Sequence, residues 1–435
     1  MSASRDPKTS KQRGIDNLIR SRFLRVLGPG LVTGASDDDP SGIATYSQAG
    51  AQFGFSMTWT LLFTYPLMAA IQEISARIGR TTGRGIAANL RRFYPSWVLQ
   101  GVVALLLIAN MINIGSDLGA MGDAAAQLIG GPKSLFVVVF AVVCTTLQVF
   151  VQYSRYVNVL KWTTLSLFAY FGTVLVVDVP WSEVARGLFI PTFVAKFEFW
   201  TMVVAIFGTT ISPYLFFWQA SQEVEDIADV AARKPLVKSP KQGPDAIQRI
   251  KLDTYVGMAF SNFVGLAMMI TAAATLHAAG HTHIETSSQA AEALKPIAGE
   301  LAFVIFSLGI IGTGFLAVPV LAGSAAYAMA EAFGWPVGLA RKPMQAKGFY
   351  AVIVAATLLG TVICFSPLDP IRALFWSAVT NGVVAVPVMV MMMIMTSNED
   401  VMGKFMVRGP LRIIGWIATL AMAAAATGMG IAAIL

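Results

Sequence analysis

Apolar residues run along this chain in long blocks, separated by short polar segments that are often basic. About 20 apolar residues suffice for a helix to cross a bilayer. Eleven such blocks lie near 24–50, 56–78, 99–128, 134–152, 158–179, 199–221, 252–276, 300–331, 348–366, 372–396 and 412–434. The first and sixth are broken. Asp37-Asp38-Asp39-Pro40-Ser41-Gly42 interrupts the first, and Ser212-Pro213 interrupts the sixth within residues 200–219. Charges and helix breakers at bilayer depth persist only where they line a cavity or meet a partner. The breaks stand five spans apart, and an odd number of spans inverts the second half relative to the first. Spans 1–5 and 6–10 therefore read as inverted repeats, with span 11 peripheral. Paired discontinuous helices at matching places point to the substrate site of a secondary transporter. The expected division is a tail at 1–23, a first repeat at 24–179, a second at 180–396, and a loop with the last helix at 397–435.

Composition moves the chain into lipid. Of 435 residues 56% are hydrophobic and 13% charged, against roughly 25% charged in a soluble domain. The net charge of +7 does not mark a nucleic-acid face, because the basic residues sit in alternate connections. Arg13, Arg20, Arg22 and Arg25 precede span 1, and Arg155 and Lys161 follow span 4. The connection after span 6 carries Arg233, Lys234, Lys238, Lys241, Arg249 and Lys251. The positive-inside rule then puts the N-terminus in the cytoplasm and the C-terminus outside, in an inner (plasma) membrane. The first 20 residues lack an apolar core and read as a cytoplasmic tail rather than a signal peptide. Cys144 and Cys364 stand in apolar stretches far from His or other Cys, as packing thiols do. The chain reads as a carrier rather than an enzyme, with no cofactor and no protein partner indicated beyond the bilayer.

The first break carries the chemistry. Pro40 removes a backbone donor and Gly42 relaxes the chain, so a helix entering over 31–35 unwinds near 37–42. Freed carbonyls beside Asp37, Asp38 and Asp39 suit a hard divalent cation, which takes oxygen ligands. The alternative is a capping turn in which Asp39 caps a half-helix and the acids face water. Residues 43–55 run on with little charge, and this favours the cation. In span 6, Thr209 and Ser212 offer hydroxyls, where a plain proline kink is the alternative.

Further polar groups lie in or near the spans. Asp117 and Asp123 in span 3 are intramembrane acids, which face a cavity or a partner. Asn381 in span 10 either offers an amide oxygen to a cation or joins helices. Glu73 and Arg77 stand at i,i+4 spacing as a local ion pair. His277, His281 and His283 fall with Glu285 in one loop, read as a solvated outer loop. The run of methionines at 389–395 reads as packing or lipid-facing surface.

These residues resemble the Nramp family of divalent-metal transporters. Gly28-Pro29-Gly30 leading into Asp39-Pro40-Ser41-Gly42 is similar to the family's Asp-Pro-Gly-Asn break. Ile74-Ser75-Ala76-Arg77-Ile78-Gly79, the stretch 316–327, Glu331-Ala332-Phe333-Gly334-Trp335 and Val401-Met402-Gly403 are also similar to family patterns, in order from about residue 24 onward. The resemblance implies an all-α, LeuT-type fold and uptake of divalent metal. It also implies a metal-binding role for Asp39, beside which Asp37 and Asp38 add negative charge and oxygen donors. The departures matter as much. Gly42 replaces the family's binding asparagine, Ser212 its methionine, Tyr214 its histidine and Gln219 a second histidine. Asp117 matches an aspartate, Ala120 replaces a glutamate, and Asn381 stands where Gln is usual.

Losing the sulfur removes the ligand that favours softer metals. An oxygen-rich, roomier site suits Mg²⁺, which dehydrates reluctantly. With no histidine inside the membrane, the pattern resembles the Nramp-related magnesium transporters, whose uptake is not proton-coupled. The expected metal set is Asp37, Asp38, Asp39, Gly42, Thr209, Ser212 and Asn381. Asp117, Asp123, Tyr214 and Gln219 are expected as coupling or gate residues. Mg²⁺ with Mn²⁺ is the first reading. An ordinary proton-coupled Mn²⁺/Fe²⁺ symporter, with Asp117 serving the proton, is the alternative. A sodium-coupled carrier of organic solutes fits three consecutive acids poorly, and a receptor or scaffold lacks large soluble segments.

Overall fold

A computed structural model describes Gly34 and residues 37–151, 167–230, 232–284, 286–365 and 369–434. The expectations placed on the N-terminal tail, Gly28-Pro29-Gly30, the helix entry over 31–35 apart from Gly34, Arg155, Lys161 and Glu285 lie outside the described residues. Among those described, every regular element is helical. The principal helices are α1 (Pro40–Phe53), α2 (Thr58–Thr82), α3 (Ile86–Phe93), α4 (Ser96–Ile129), α5 (Lys133–Phe150), α6 (Phe168–Val176), α7 (Trp181–Phe189), α8 (Phe197–Thr210), α9 (Pro213–Asp229), α10 (Gly243–Ala272), α11 (Ala302–Phe333), α12 (Lys347–Cys364), α13 (Pro370–Thr396) and α14 (Pro410–Ala432).

Nine stretches among the described residues are long and apolar enough to cross a membrane. The sequence count was eleven, and two features account for the difference. The first two spans run together as Pro40–Thr82, and the fifth reaches into residues that are not described. The Pro40–Thr82 stretch turns at Gly54, whose φ of +58° lies in the left-handed region that a side chain disfavours.

Packing sorts the helices into two groups. In one, α1 and α2 lie against α10, and α2 also lies against α9. In the other, α4 is surrounded by α5, α11 and α12. α13 bridges them, touching α8, α1 and α4, and α14 covers α2, α8 and α13 from outside. Small residues let backbones approach at the bridge. A Cβ on Gly382 of α13 would lie 2.6 Å from the Val204 carbonyl oxygen of α8, a closeness that only glycine allows. The methionines Met389, Met392, Met393 and Met395 are buried in this region, so they pack rather than face lipid.

Candidate cation site

Both breaks have a local cause. Pro40 and Pro213 each sit at the first turn of a half-helix, where the missing N–H is no loss. Each also pushes the residue before it out of the helical region. Asp39 takes φ −71° and ψ 171°, and Ser212 takes φ −86° and ψ 132°. Asp38 and Asp39 form the non-helical link between Asp37 and Pro40.

The two bared ends are satisfied differently. Asp39 Oδ1 accepts from the Gly42 amide at 2.8 Å and from Ser41 Oγ at 2.6 Å, and the positive end of α1 favours its charge. The Ser212 hydroxyl turns back along its own chain. It donates to the Gly208 carbonyl at 2.7 Å and to the Thr209 carbonyl at 3.1 Å. It thereby covers carbonyls that the end of α8 leaves without helical partners.

The breaks meet each other. The Tyr214 hydroxyl donates to Asp39 Oδ2 at 3.3 Å. Gly42 faces α8 across a narrow gap. A Cβ placed on it would lie 3.2 Å from Thr209 Oγ1, 3.4 Å from the Tyr46 ring and 3.7 Å from the Asp37 main-chain oxygen. The absent side chain thus lets α1 pack close to α8, so that the Thr209 hydroxyl, the Asp37 carbonyl and, through the Gly42 amide, Asp39 gather around this point.

Asp37 and Asp38 turn toward α10. Ser261 Oγ lies 2.5 Å from Asp37 Oδ2 and 3.1 Å from Asp38 Oδ1. One hydroxyl has one proton to give, so the two carboxylates share it. All three acids are nearly inaccessible, at 1–2% exposure. None of them takes part in an ion pair among the described residues. Capping by Asp39 is real, but the water-facing arrangement that would have gone with a plain cap is not. Buried negative charge without a basic partner is costly, and a proton or a bound cation relieves it. Among the described residues, no three carboxylate, imidazole or thiol groups converge on one point. The oxygen-lined gap is therefore bounded by one carboxylate, with two more behind it, rather than enclosed by a ring of acids.

The remaining candidates separate by place. Asp117 on α4 is fully buried, and neither carboxylate oxygen has a hydrogen-bond partner among the described residues. It lies close enough to Asp39 and Tyr214 to interact electrostatically with both. Gln219 is buried on α9, below Tyr214. Asn381 Oδ1 accepts from Asn113 Nδ2 at 2.7 Å, so its amide oxygen ties α13 to α4. Asp123 is half-buried and accepts from Gln127 at 2.7 Å and Ser287 at 3.0 Å, away from the breaks. Glu73 and Arg77 pair at 2.5 Å. His281 and His283 are exposed, and His277 Nδ1 lies 2.8 Å from the Ala51 carbonyl oxygen.

Sequence reasoning missed Ser261, Tyr46 and Asn113. Ser261-Asn262 is a polar pair inside an apolar span, and that was the available signal for Ser261. Alongside α1, a cleft of about 320 Å³ opens between Ala44, Gln48, His283, Arg372 and Trp376. Gln48 holds its rim by accepting from the Ile284 amide at 2.9 Å.

Comparisons with known proteins agree with this architecture. Residues 30–432 match the family model described as natural resistance-associated macrophage protein-like. A divalent metal cation transporter, MntH, of Klebsiella pneumoniae strain 342 is 28% identical over 403 residues, covering 91% of each chain. The solved manganese transporter of Eremococcus coleocola, in complex with an aromatic bis-isothiourea substituted compound, superposes with a TM-score of 0.72 at 15% identity, over 99% of this chain and 89% of that one. Mhp1, a nucleobase-cation-symport-1 family transporter in a closed conformation, superposes with a TM-score of 0.56 at 14% identity, over 93% and 92%. These structural likenesses concern the fold, which is the LeuT type with discontinuous first and sixth helices.

Proposed function

The chain belongs to the Nramp family, and from that premise we propose that it carries divalent metal cations inward across the plasma membrane by alternating access, Mg²⁺ foremost and Mn²⁺ with it, without coupled protons. Its N-terminus lies in the cytoplasm and its C-terminus outside, the orientation that the basic connections favour.

The observation that carries the reading is the donor set at the breaks. It consists of oxygen: the Asp39 carboxylate, the Asp37 carbonyl and the Thr209 hydroxyl, with Asp37 and Asp38 behind. The residues at the breaks bring no sulfur and no imidazole, since Ser212 and Tyr214 occupy those places. A donor set made of hard oxygen suits a cation that takes oxygen ligands and dehydrates reluctantly. The Tyr214–Asp39 contact reads as a gate across the site, and it breaks when the carboxylate turns to the ion. Asp37 and Asp38 draw the cation in, and the two half-helices rock against the α4, α5, α11 and α12 group to change the side of access.

Uptake by purified protein in liposomes tests this, with Mg²⁺ and Mn²⁺ compared while internal pH is recorded. Mg²⁺ entry without acidification is the expected result. A second reading, proton-coupled Mn²⁺ or Fe²⁺ transport, is favoured by one observation: the buried Asp117, without a hydrogen-bond partner among the described residues, stands within electrostatic reach of Asp39. Mn²⁺ entry with acidification and no Mg²⁺ entry would establish that reading and overturn the first.

A further inference from the structure

Three polar side chains, Ser221, Glu225 and Asp229, recur every fourth residue down α9 and so share one face. With Tyr327, Glu331 and Arg341 they line a cavity of about 410 Å³ at the end of the molecule that carries the basic connections. Glu225 closes one wall of it. Its Oε1 accepts from the Tyr327 hydroxyl of α11 at 2.6 Å and from the Leu339 amide at 2.8 Å. The connection is moulded to this carboxylate. Gly338 has a φ of +131°, and a Cβ there would lie 2.8 Å from Glu225 Oε1.

The neighbouring acids of α9 point elsewhere. Glu223 pairs with Arg249 of α10 at 2.5 Å, and Asp226 lies 3.4 Å from the same guanidinium. Those ties hold α9 to its own group of helices. Glu225 alone among the three crosses to the opposite group, at the seam that must part if the two groups move against each other.

We propose that Glu225 is the latch of the cytoplasmic exit: its carboxylate, held by Tyr327 and Leu339, keeps α9 against α11, and release opens the cavity as the cation's outlet. The proposal rests on the alternating-access reading. The latch uses uncharged donors, so water can replace them as α9 swings, whereas a buried ion pair would leave a stranded charge. Once open, the outlet presents Glu225 and Asp229 to a departing cation, and their charge concentrates it along the path. The buried Ser221 Oγ, which has no hydrogen-bond partner among the described residues, lines the same wall.

The test uses the full-length protein in liposomes, carrying Ser221→Cys with Cys144 and Cys364 replaced by alanine. Labelling by a membrane-impermeant maleimide applied to the basic-loop face reports opening. Tyr327→Phe removes one hydroxyl and keeps the ring, which packs on Phe349 with centroids 4.9 Å apart. We expect Tyr327→Phe and Glu225→Gln each to raise the labelling rate by about tenfold, as loss of a hydrogen bond to a charged group allows. Unchanged labelling in both variants overturns the latch, whatever happens to uptake. Faster labelling in a protein that moves neither Mg²⁺ nor Mn²⁺ upholds the latch while refuting the transport reading.

Discussion

Asp39 does two jobs that a single residue rarely combines. Its Oδ1 caps α1 and its Oδ2 receives Tyr214, so the same carboxylate fixes the break and faces the site. Asp39→Ala should therefore lower metal uptake to the level of empty liposomes. Normal uptake by a well-folded variant would remove Asp39 from the site. Ser212 offers a sharper test of metal choice, because the proposed reading sets its side chain where the family has a thioether. Ser212→Met brings a soft donor to the gap and should shift the preference from Mg²⁺ toward Mn²⁺ or Cd²⁺ by about tenfold, equivalent to roughly 1.4 kcal/mol. Competition between the ions in the uptake assay reads this directly. An unchanged ratio would mean that the side chain at 212 does not reach the ion.

At the level of elements, the two prolines convert sequence into separate half-helices. Pro213 separates α8 from α9, and the Ser212 hydroxyl stabilises the separation by covering the last carbonyls of α8. Pro213→Ala restores an N–H and relaxes the constraint on Ser212, so the halves can join into one helix. Thermal stability in detergent should hold or rise in this variant while uptake falls severalfold. Equal loss of both would show that Pro213 only supports the fold. α1 behaves similarly, with Pro40 and Asp39 placing a helix start inside the membrane. Such a start is tolerated because the bared amides meet a carboxylate instead of lipid.

Across the whole molecule, charge ties neighbouring helices of one group together. Glu223 is fully buried and its partner Arg249 is 15% exposed, with Arg80 nearby donating to the Lys234 carbonyl at 2.7 Å. These contacts tie α2, α9 and α10 into one body. Arg249→Ala leaves Glu223 buried without its partner and should destabilise the protein by about 3 kcal/mol, the cost of stranding one charge of a buried pair. A paired Glu223→Gln, Arg249→Gln variant should recover part of that loss in a thermal melt. If the single and double variants melt alike, the pair contributes no coupling and the body is held by apolar packing alone.

The sequence by itself determined the helical class, the membrane environment, the two breaks and the family resemblance. Those features are local: they follow from runs of apolar residues, from prolines that cannot continue a helix, and from charges placed where lipid would reject them. Tertiary structure decided which polar groups meet. Ser261 reaches Asp37 and Asp38 across more than 200 residues of chain, and Asn113 takes the Asn381 oxygen across a still longer separation. No periodicity encodes such encounters, because they depend on how two helix groups pack. The Met389, Met392 and Met393 side chains show the same division. Their composition allowed a lipid-facing surface or a packed one, and only the neighbouring helices selected the packed one.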